Sequence, residues 1–337
     1  NNSIAIIATA PEVTRSADQF FRFHPDINFY YLTGFNEPEA IAVLEKDAAG
    51  KTRFTLFNRK RDLEMEQWVG YRAGQEGAIK DYAADEAYRY EEFDERIGPM
   101  MLNKDALYFS FGRHAPMDDR VRNALNSIRT QVRAGDKLPD MIINLENLVF
   151  ELRLVKSTDE IALPRQAVNV SCDAHRRAMQ TAGPNVTERL LWANLTHEMF
   201  RQGCEDEAYG SIVASGKNAC ILHYDTYQST LNDGDLVLID AGAQYQYYCA
   251  DITRTFPVNG KFNAEQKAIY DIVLAAHDAA LAEIKPGAPC NIMSNAALRV
   301  IVQGLVDLKL LSGSIDEVIE TEAYKPFYMH RIGHWLG

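Results

Sequence analysis

A chain of 337 residues is longer than one hydrophobic core usually organises, so two domains are expected. Hydrophobic residues at 47% and charged residues at 24% are ordinary proportions for a globular protein and exclude a disordered or fibrous chain. The formal net charge of −12 opposes general binding to nucleic acid or to an anionic membrane, because phosphates repel it.

Residues 4–10 are apolar, too short for a signal segment and not preceded by basic residues, so they read as a strand. Runs rich in β-branched or aromatic residues at 40–44, 54–57 and 107–111 predict further strands, with helices at 62–70 and 118–129 between them. The first part is therefore α/β. No G-x-G-x-x-G or phosphate-cradling loop supports a nucleotide fold. The acid-rich stretch at 85–96 (DEAYRYEEFDER) reads as a solvated helix face rather than a docking surface.

A boundary is expected near 150–160, giving domains 1–155 and 156–337. Residues 146–155 suggest a connecting helix, and Ser157 with Glu160 forms a helix-start capping box. Pro164 falls inside that second helix, where it removes a hydrogen bond and favours a kink. Asn263, with Gln266 three positions on, starts another helix, and Ile269, Ile272, Val273 and Ala276 follow at helical spacing. Lys285, Pro286 and Gly287 end it, and a helix over 291–308 follows. No apolar run reaches membrane-spanning length. Five widely spaced cysteines without a C-x-x-C pair read as free thiols, which suits the cytoplasm.

Three segments carry chemistry. In residues 236–258 (LVLIDAGAQYQYYCADITRTFPV) an apolar strand ends in Asp240, a turn follows, and a second strand begins near Tyr247 and includes Asp251. Antiparallel pairing would bring both carboxylates to one mouth of the sheet, where they need a cation or a shared proton. The plainer alternative makes Asp240 a turn residue and Asp251 a surface partner of Arg254. In residues 327–337 (FYMHRIGHWLG), His330 and His334 share one face whether the segment is helix or strand, although Gly333 disfavours a helix. A pair of ligands and a pair of core histidines both remain open. In residues 210–224 (GSIVASGKNACILHY) a strand, a glycine turn and a second strand end at His223, as a polar cap or as a group aimed at a site.

Together these segments resemble the blocks of the pita-bread metallopeptidases, in the family's order. Residues 29–40 (FYYLTGFNEPEA) and 56–63 (LFNRKRDL) resemble the N-terminal domain of its Xaa-Pro aminopeptidase (aminopeptidase P) subfamily. The resemblance covers essentially the whole chain. It implies an α/β N-terminal domain and an α+β pita-bread C-terminal catalytic domain (creatinase/aminopeptidase fold). It implies hydrolysis of the N-terminal Xaa-Pro bond, releasing the first residue of peptides with proline second. The alternatives are a prolidase acting on Xaa-Pro dipeptides and a non-catalytic binding protein on the same scaffold.

The resemblance also implies two divalent ions, most often Mn2+, with Asp240, Asp251 and His334 as ligands. His223 and His330 are its catalytic histidines, Tyr209 stands beside the metals, and Arg133 and Trp68 line the substrate pocket. Trp68 sometimes comes from a neighbouring subunit, and a dimer or tetramer is expected. The chain departs from the pattern in three ways. The family's two glutamate ligands have no counterpart in 1–337, and the expectation is that the sequence is part of a longer native chain whose catalytic domain is incomplete here. Asn28 replaces an acidic relay residue, and Arg331 replaces a glycine.

Overall fold

The computed structural model describes residues 2–132 and 135–336. It divides into two compact units, residues 1–155 and 156–337.

In the first unit the strands are β1 (Ser3–Ala8), β2 (Thr14–Ser16), β3 (Gln19–Phe20), β4 (Ile41–Lys46), β5 (Thr52–Asn58), β6 (Glu86–Arg89), β7 (Ala106–Tyr108) and β8 (Met141–Ile143). The helices are α1 (Ile27–Thr33), α2 (Leu63–Val69), α3 (Gly74–Tyr82), α4 (Phe93–Met101), α5 (Ala115–Gln131) and α6 (Leu145–Leu154). Among the described residues, six strands form one sheet in the order β6-β5-β4-β1-β7-β8. The β1–β4 and β4–β5 pairs are antiparallel; the β5–β6, β1–β7 and β7–β8 pairs are parallel. Alternate side chains serve the two faces. Ile4, Ile6, Ile41, Val43 and Phe57 pack with Phe93, Ile97, Val121 and Ile128 from α4 and α5. Ala42 and Leu56 turn the other way and pack with Phe29, Phe35 and Ala78. Helices on both faces explain why β4 opens as a continuous apolar run rather than an alternating one.

Two expectations change here. The stretch 85–96 is not one solvated helix: it forms β6, a 3-10 turn and the start of α4. Its Phe93 is fully buried, and apolar burial overrides the high local charge. The strand expected at 107–111 ends at Tyr108. The chain turns at Gly112, whose N–H donates to the Asp118 carboxylate, and α5 begins there with a proline in its first turn.

The second unit begins with α7 (Thr158–Thr181), capped by the reciprocal Ser157 and Glu160 bonds. The helix continues through Pro164; nothing in the structure explains a proline there. Then follow α8 (Glu188–Arg201), β9 (Asp206–Glu207), β10 (Ile212–Ser215), β11 (Leu236–Ala241), β12 (Ala243–Tyr245), β13 (Tyr248–Cys249), β14 (Ile252–Pro257), α9 (Ala264–Ala282), α10 (Asn291–Asp307) and α11 (Ile315–Glu320). Among the described residues, β10-β11-β14 and β13-β12-β9 form two antiparallel three-stranded sheets. Their apolar faces close on α7 and α8 through Val170, Ala174, Leu191, Leu195, Val237 and Ile239. The predicted Asn263–Gln266 capping box is present at the start of α9. Gly304 of α10 lets α9 approach: a Cβ there would lie 2.6 Å from the Ile272 side chain.

Between α7 and α8, Glu198 is buried and accepts hydrogen bonds from Arg201, Gln202 and Arg177. Arg201 and Gln202 hold its carboxyl down at about 2, against an ordinary 4.5. A depressed carboxylate stabilises the fold above its ordinary range and loses that contribution as pH falls toward 2. Acid denaturation followed by circular dichroism should lose up to about 3 kcal/mol from this group between pH 4.5 and 2, and Glu198→Gln should flatten that part of the curve.

Candidate metal centre

The second unit gathers an acidic group at the end of the β11–β14 ladder. Asp240 is the penultimate residue of β11 and pairs with Thr253; Asp251 directly precedes β14. The second strand is therefore interrupted where a single strand was expected. Tyr248 and Cys249 pair with β12, residues 252–257 pair with β11, and Asp251 stands at the switch.

This switch requires Gly242. A Cβ at that position would lie 1.7 Å from the Ala250 carbonyl oxygen, so only glycine lets the two backbones pass. The flanking residues are pinned by α7. His175 Nε2 donates to the Ala241 carbonyl at 3.1 Å, and the Ala243 N–H donates to Ser171 Oγ at 2.8 Å. His175 is 3% exposed, and burial lowers its pKa, so the ring is neutral. Ser171 and His175 lie four apart in the buried stripe of α7, which also contains Ala167, Val170, Ala174 and Ala178.

The Tyr209 hydroxyl lies 2.5 Å from Asp240 Oδ1 and 3.0 Å from Asp251 Oδ1. Burial, together with the two carboxylates, raises its pKa, so the phenol keeps its proton. One hydroxyl has one proton to give, so the second carboxylate is left facing a lone pair. On the other side, Asp251 Oδ2 lies 2.8 Å from His334 Nε2. His334 Nδ1 donates to the Trp335 carbonyl at 3.1 Å, which commits the ring's N–H away from the aspartates. A neutral His334 therefore presents a bare nitrogen to a carboxylate oxygen. Its pKa is raised, first by the Trp335 carbonyl and then by Asp251. Either a proton or a metal ion must stand between them.

Among the described residues no three His, Cys, Asp or Glu side chains form a ready-made cage. The observed set is instead joined pairwise, Asp240 to Asp251 through Tyr209 and Asp251 to His334. The donors fit a divalent cation: two oxygens short of protons, and an imidazole whose other nitrogen is oriented by a backbone carbonyl.

The other expected residues lie elsewhere. His223 sits on an exposed turn after the 3-10 helix Gly216–Cys220, not at the end of a strand. The expected turn is present, with Gly216 at φ +53° ending β10, but the second strand is replaced by that 3-10 helix and turn. His330 is exposed in a non-helical, non-strand segment and donates from Nδ1 to the Arg331 carbonyl at 2.7 Å. With Tyr324, Tyr328 and Arg331 it lines a cleft of about 280 Å³. Among the described residues neither histidine hydrogen-bonds to Asp240, Asp251, Tyr209 or His334. Arg254 donates to the Thr253 carbonyl, while Asp251 is engaged with Tyr209 and His334, so the surface-pair alternative for Asp251 fails. Arg133 lies outside the described residues. Trp68 is on α2 of the first unit and 81% exposed. Asn28, also in the first unit, is buried on α1 and accepts from Arg153 at 2.7 Å; it lines a cavity of about 200 Å³ past the ends of β1 and β7. His175 was not singled out from the sequence; a histidine interrupting the apolar stripe of α7 is the signal that marks it.

The model of metallopeptidase family M24 matches residues 162–337, and that of the aminopeptidase P N-terminal domain matches residues 1–108. The Xaa-Pro aminopeptidase of Escherichia coli (strain K12) is 42% identical over 99% of this chain and 76% of its own length. The structure of Pseudomonas aeruginosa aminopeptidase PepP superposes with a TM-score of 0.95 at 46% identity, over 100% of this chain and 76% of that one. Zn-substituted E. coli aminopeptidase P in complex with product superposes at 0.96 and 42%, over 99% and 76%. The chain belongs to metallopeptidase family M24 and, within it, to the Xaa-Pro aminopeptidases, with an α/β N-terminal domain and an α+β pita-bread domain. No described helix is long and apolar enough to cross a membrane.

Gly242→Ala should destabilise the second unit by at least about 3 kcal/mol in chemical denaturation, because backbone rather than a side chain blocks the new methyl.

Proposed function

We propose that the protein removes the first residue of peptides with proline in second place, using two divalent ions, Mn2+ in the cell. The joining of Asp240 to Asp251 through Tyr209, and of Asp251 to His334, carries this reading. Asp240 would hold one ion, Asp251 both, and His334 the other. Oxygen-rich donors with a single imidazole suit manganese better than a thiolate set would. When bound, such ions supply a water nucleophile at neutral pH and polarise the scissile carbonyl.

The chain's own side chains supply the rest. The protonated Tyr209 hydroxyl stands between the two carboxylates and donates to one of them at a time. His223 acts as a hydrogen-bond donor to the substrate carbonyl, where negative charge develops. His330, beside the aromatic cleft of Tyr324 and Tyr328, holds the proline side. The proline nitrogen has no hydrogen in the peptide, so a proton must reach it as the bond breaks. Asn28 has no titratable proton to give, so that proton comes from another group. Trp68, bare on α2, and Arg133 are the proposed substrate-pocket residues, Trp68 serving a neighbouring copy in a dimer or tetramer. The five free cysteines fit a reducing compartment, and we place the protein in the cytoplasm.

The native protein, supplied with Mn2+, should release the first residue from an Xaa-Pro-Xaa tripeptide and cleave it better than an Xaa-Pro dipeptide; preference for the dipeptide would identify a prolidase. Isothermal titration with Mn2+ should show Asp251→Ala losing more affinity than Asp240→Ala or His334→Ala, because Asp251 faces both partners. No turnover of the tripeptide by the metal-loaded native protein would reject the reading.

A further inference from the structure

Glu188 is the first residue of α8 and is completely buried. Its carboxylate accepts five hydrogen bonds, all from the segment that leaves β10 and returns toward β11. Oε1 accepts from the Ser215 N–H at 2.8 Å, the Ser215 hydroxyl at 2.9 Å and Asn218 Nδ2 at 3.0 Å. Oε2 accepts from the Tyr224 hydroxyl at 2.7 Å and the Ser229 N–H at 3.0 Å. Burial alone would raise this carboxyl; the donors from Tyr224, Asn218, Ser215 and Ser229 outweigh it and hold the pKa below the ordinary range. The group is a charged acceptor satisfied from two sides, as a buried carboxylate must be.

The donors bracket His223. Ser215 and Asn218 lie before it, Tyr224 directly follows it, and Ser229 lies beyond. Further bonds draw the two limbs together: Asn218 Nδ2 reaches the Tyr224 hydroxyl at 3.1 Å and Ser229 Oγ at 2.8 Å. The backbone of Glu188 donates to the Ser229 carbonyl at 3.0 Å, which zips the returning limb to the start of α8. Between these anchors, residues 221–223 have no regular structure, and Ile221, Leu222 and His223 are exposed. Among the described residues, the hydrogen bonds that fix this turn come from its flanks.

We propose that Glu188 is a positioning residue for the reaction, acting through His223 by clamping both limbs of its loop. This rests on the reading of His223 as a group that touches the substrate. Glu188→Gln tests it with little change in volume. The amide nitrogen cannot accept, so either the Ser215 N–H or the Ser229 N–H faces a second donor and one limb is released.

In the native Mn2+-loaded protein, E188Q should lower kcat/KM by about tenfold or more, through the same parameter, a lower kcat or a higher KM, that His223→Ala changes. In the H223A background, E188Q should change nothing further. The His223 ring resonances in a histidine-labelled sample should shift or broaden in E188Q while those of His175 stay in place, and amide exchange should quicken over 216–229. Equal and independent losses in the double variant, or an unmoved His223 signal, would overturn the clamp. Should E188Q fail to fold, Tyr224→Phe removes one donor and leaves the carboxylate in place; it should give the same His223 signature at smaller amplitude, and an unchanged spectrum would overturn the proposal. A wild-type protein without peptidase activity would remove the function and leave the resonance and exchange measurements to decide the loop's anchoring on their own.

Discussion

Two carboxylates held within reach of a single phenolic proton set the terms for the second unit. Tyr209 can satisfy Asp240 or Asp251 but not both, and His334 turns its Nε2 to the remaining oxygen of Asp251. Like charges at that spacing repel unless a proton or a cation intervenes. The surrounding backbone is therefore built to resist their separation. Gly242 lets the strands cross at a distance no other residue permits, and α7 fixes the residues on either side of it.

That rigidity separates the site into two kinds of parts. The aspartates sit on or beside ladder strands whose positions are set by backbone pairing and by a core of Val170, Leu191, Leu195, Val237 and Ile239. The histidines sit on turns and irregular segments. His334 finds its place through a side-chain contact to Asp251, His330 through its own backbone, and His223 through the flanking residues that bond to Glu188. A strand supplies precision by itself; a turn needs an external anchor, and a buried carboxylate with several donors is a strong one.

Much of the element pattern was legible in the sequence. The helix starts at Ser157 and Asn263 were readable because a capping box is a local exchange of hydrogen bonds, complete within four residues. The buried strands β4 and β5 were readable from β-branched and aromatic runs for the same local reason. The stretch at 85–96 was misread because its charge is local, whereas the burial of Phe93 depends on a sheet assembled from distant segments. The glycine turn expected at Gly216 is present, but the second strand, expected to end in His223, is replaced by a 3-10 helix and an exposed turn.

By itself, the sequence determined which residue types were present and in what order: two aspartates flanking a glycine turn, later histidines, and the blocks that carry the family likeness. Tertiary structure decided which of them meet. Tyr209 comes before β10 and His334 lies eighty-three residues beyond Asp251, yet both touch Asp251. Equally, nothing near Glu188 in the chain shows that it collects donors from Ser215 to Ser229, or near His175 that it braces Ala241. Periodicity and capping report contacts within a few residues. Convergence on a buried charge depends on chain crossings that only the packed sheets and helices create.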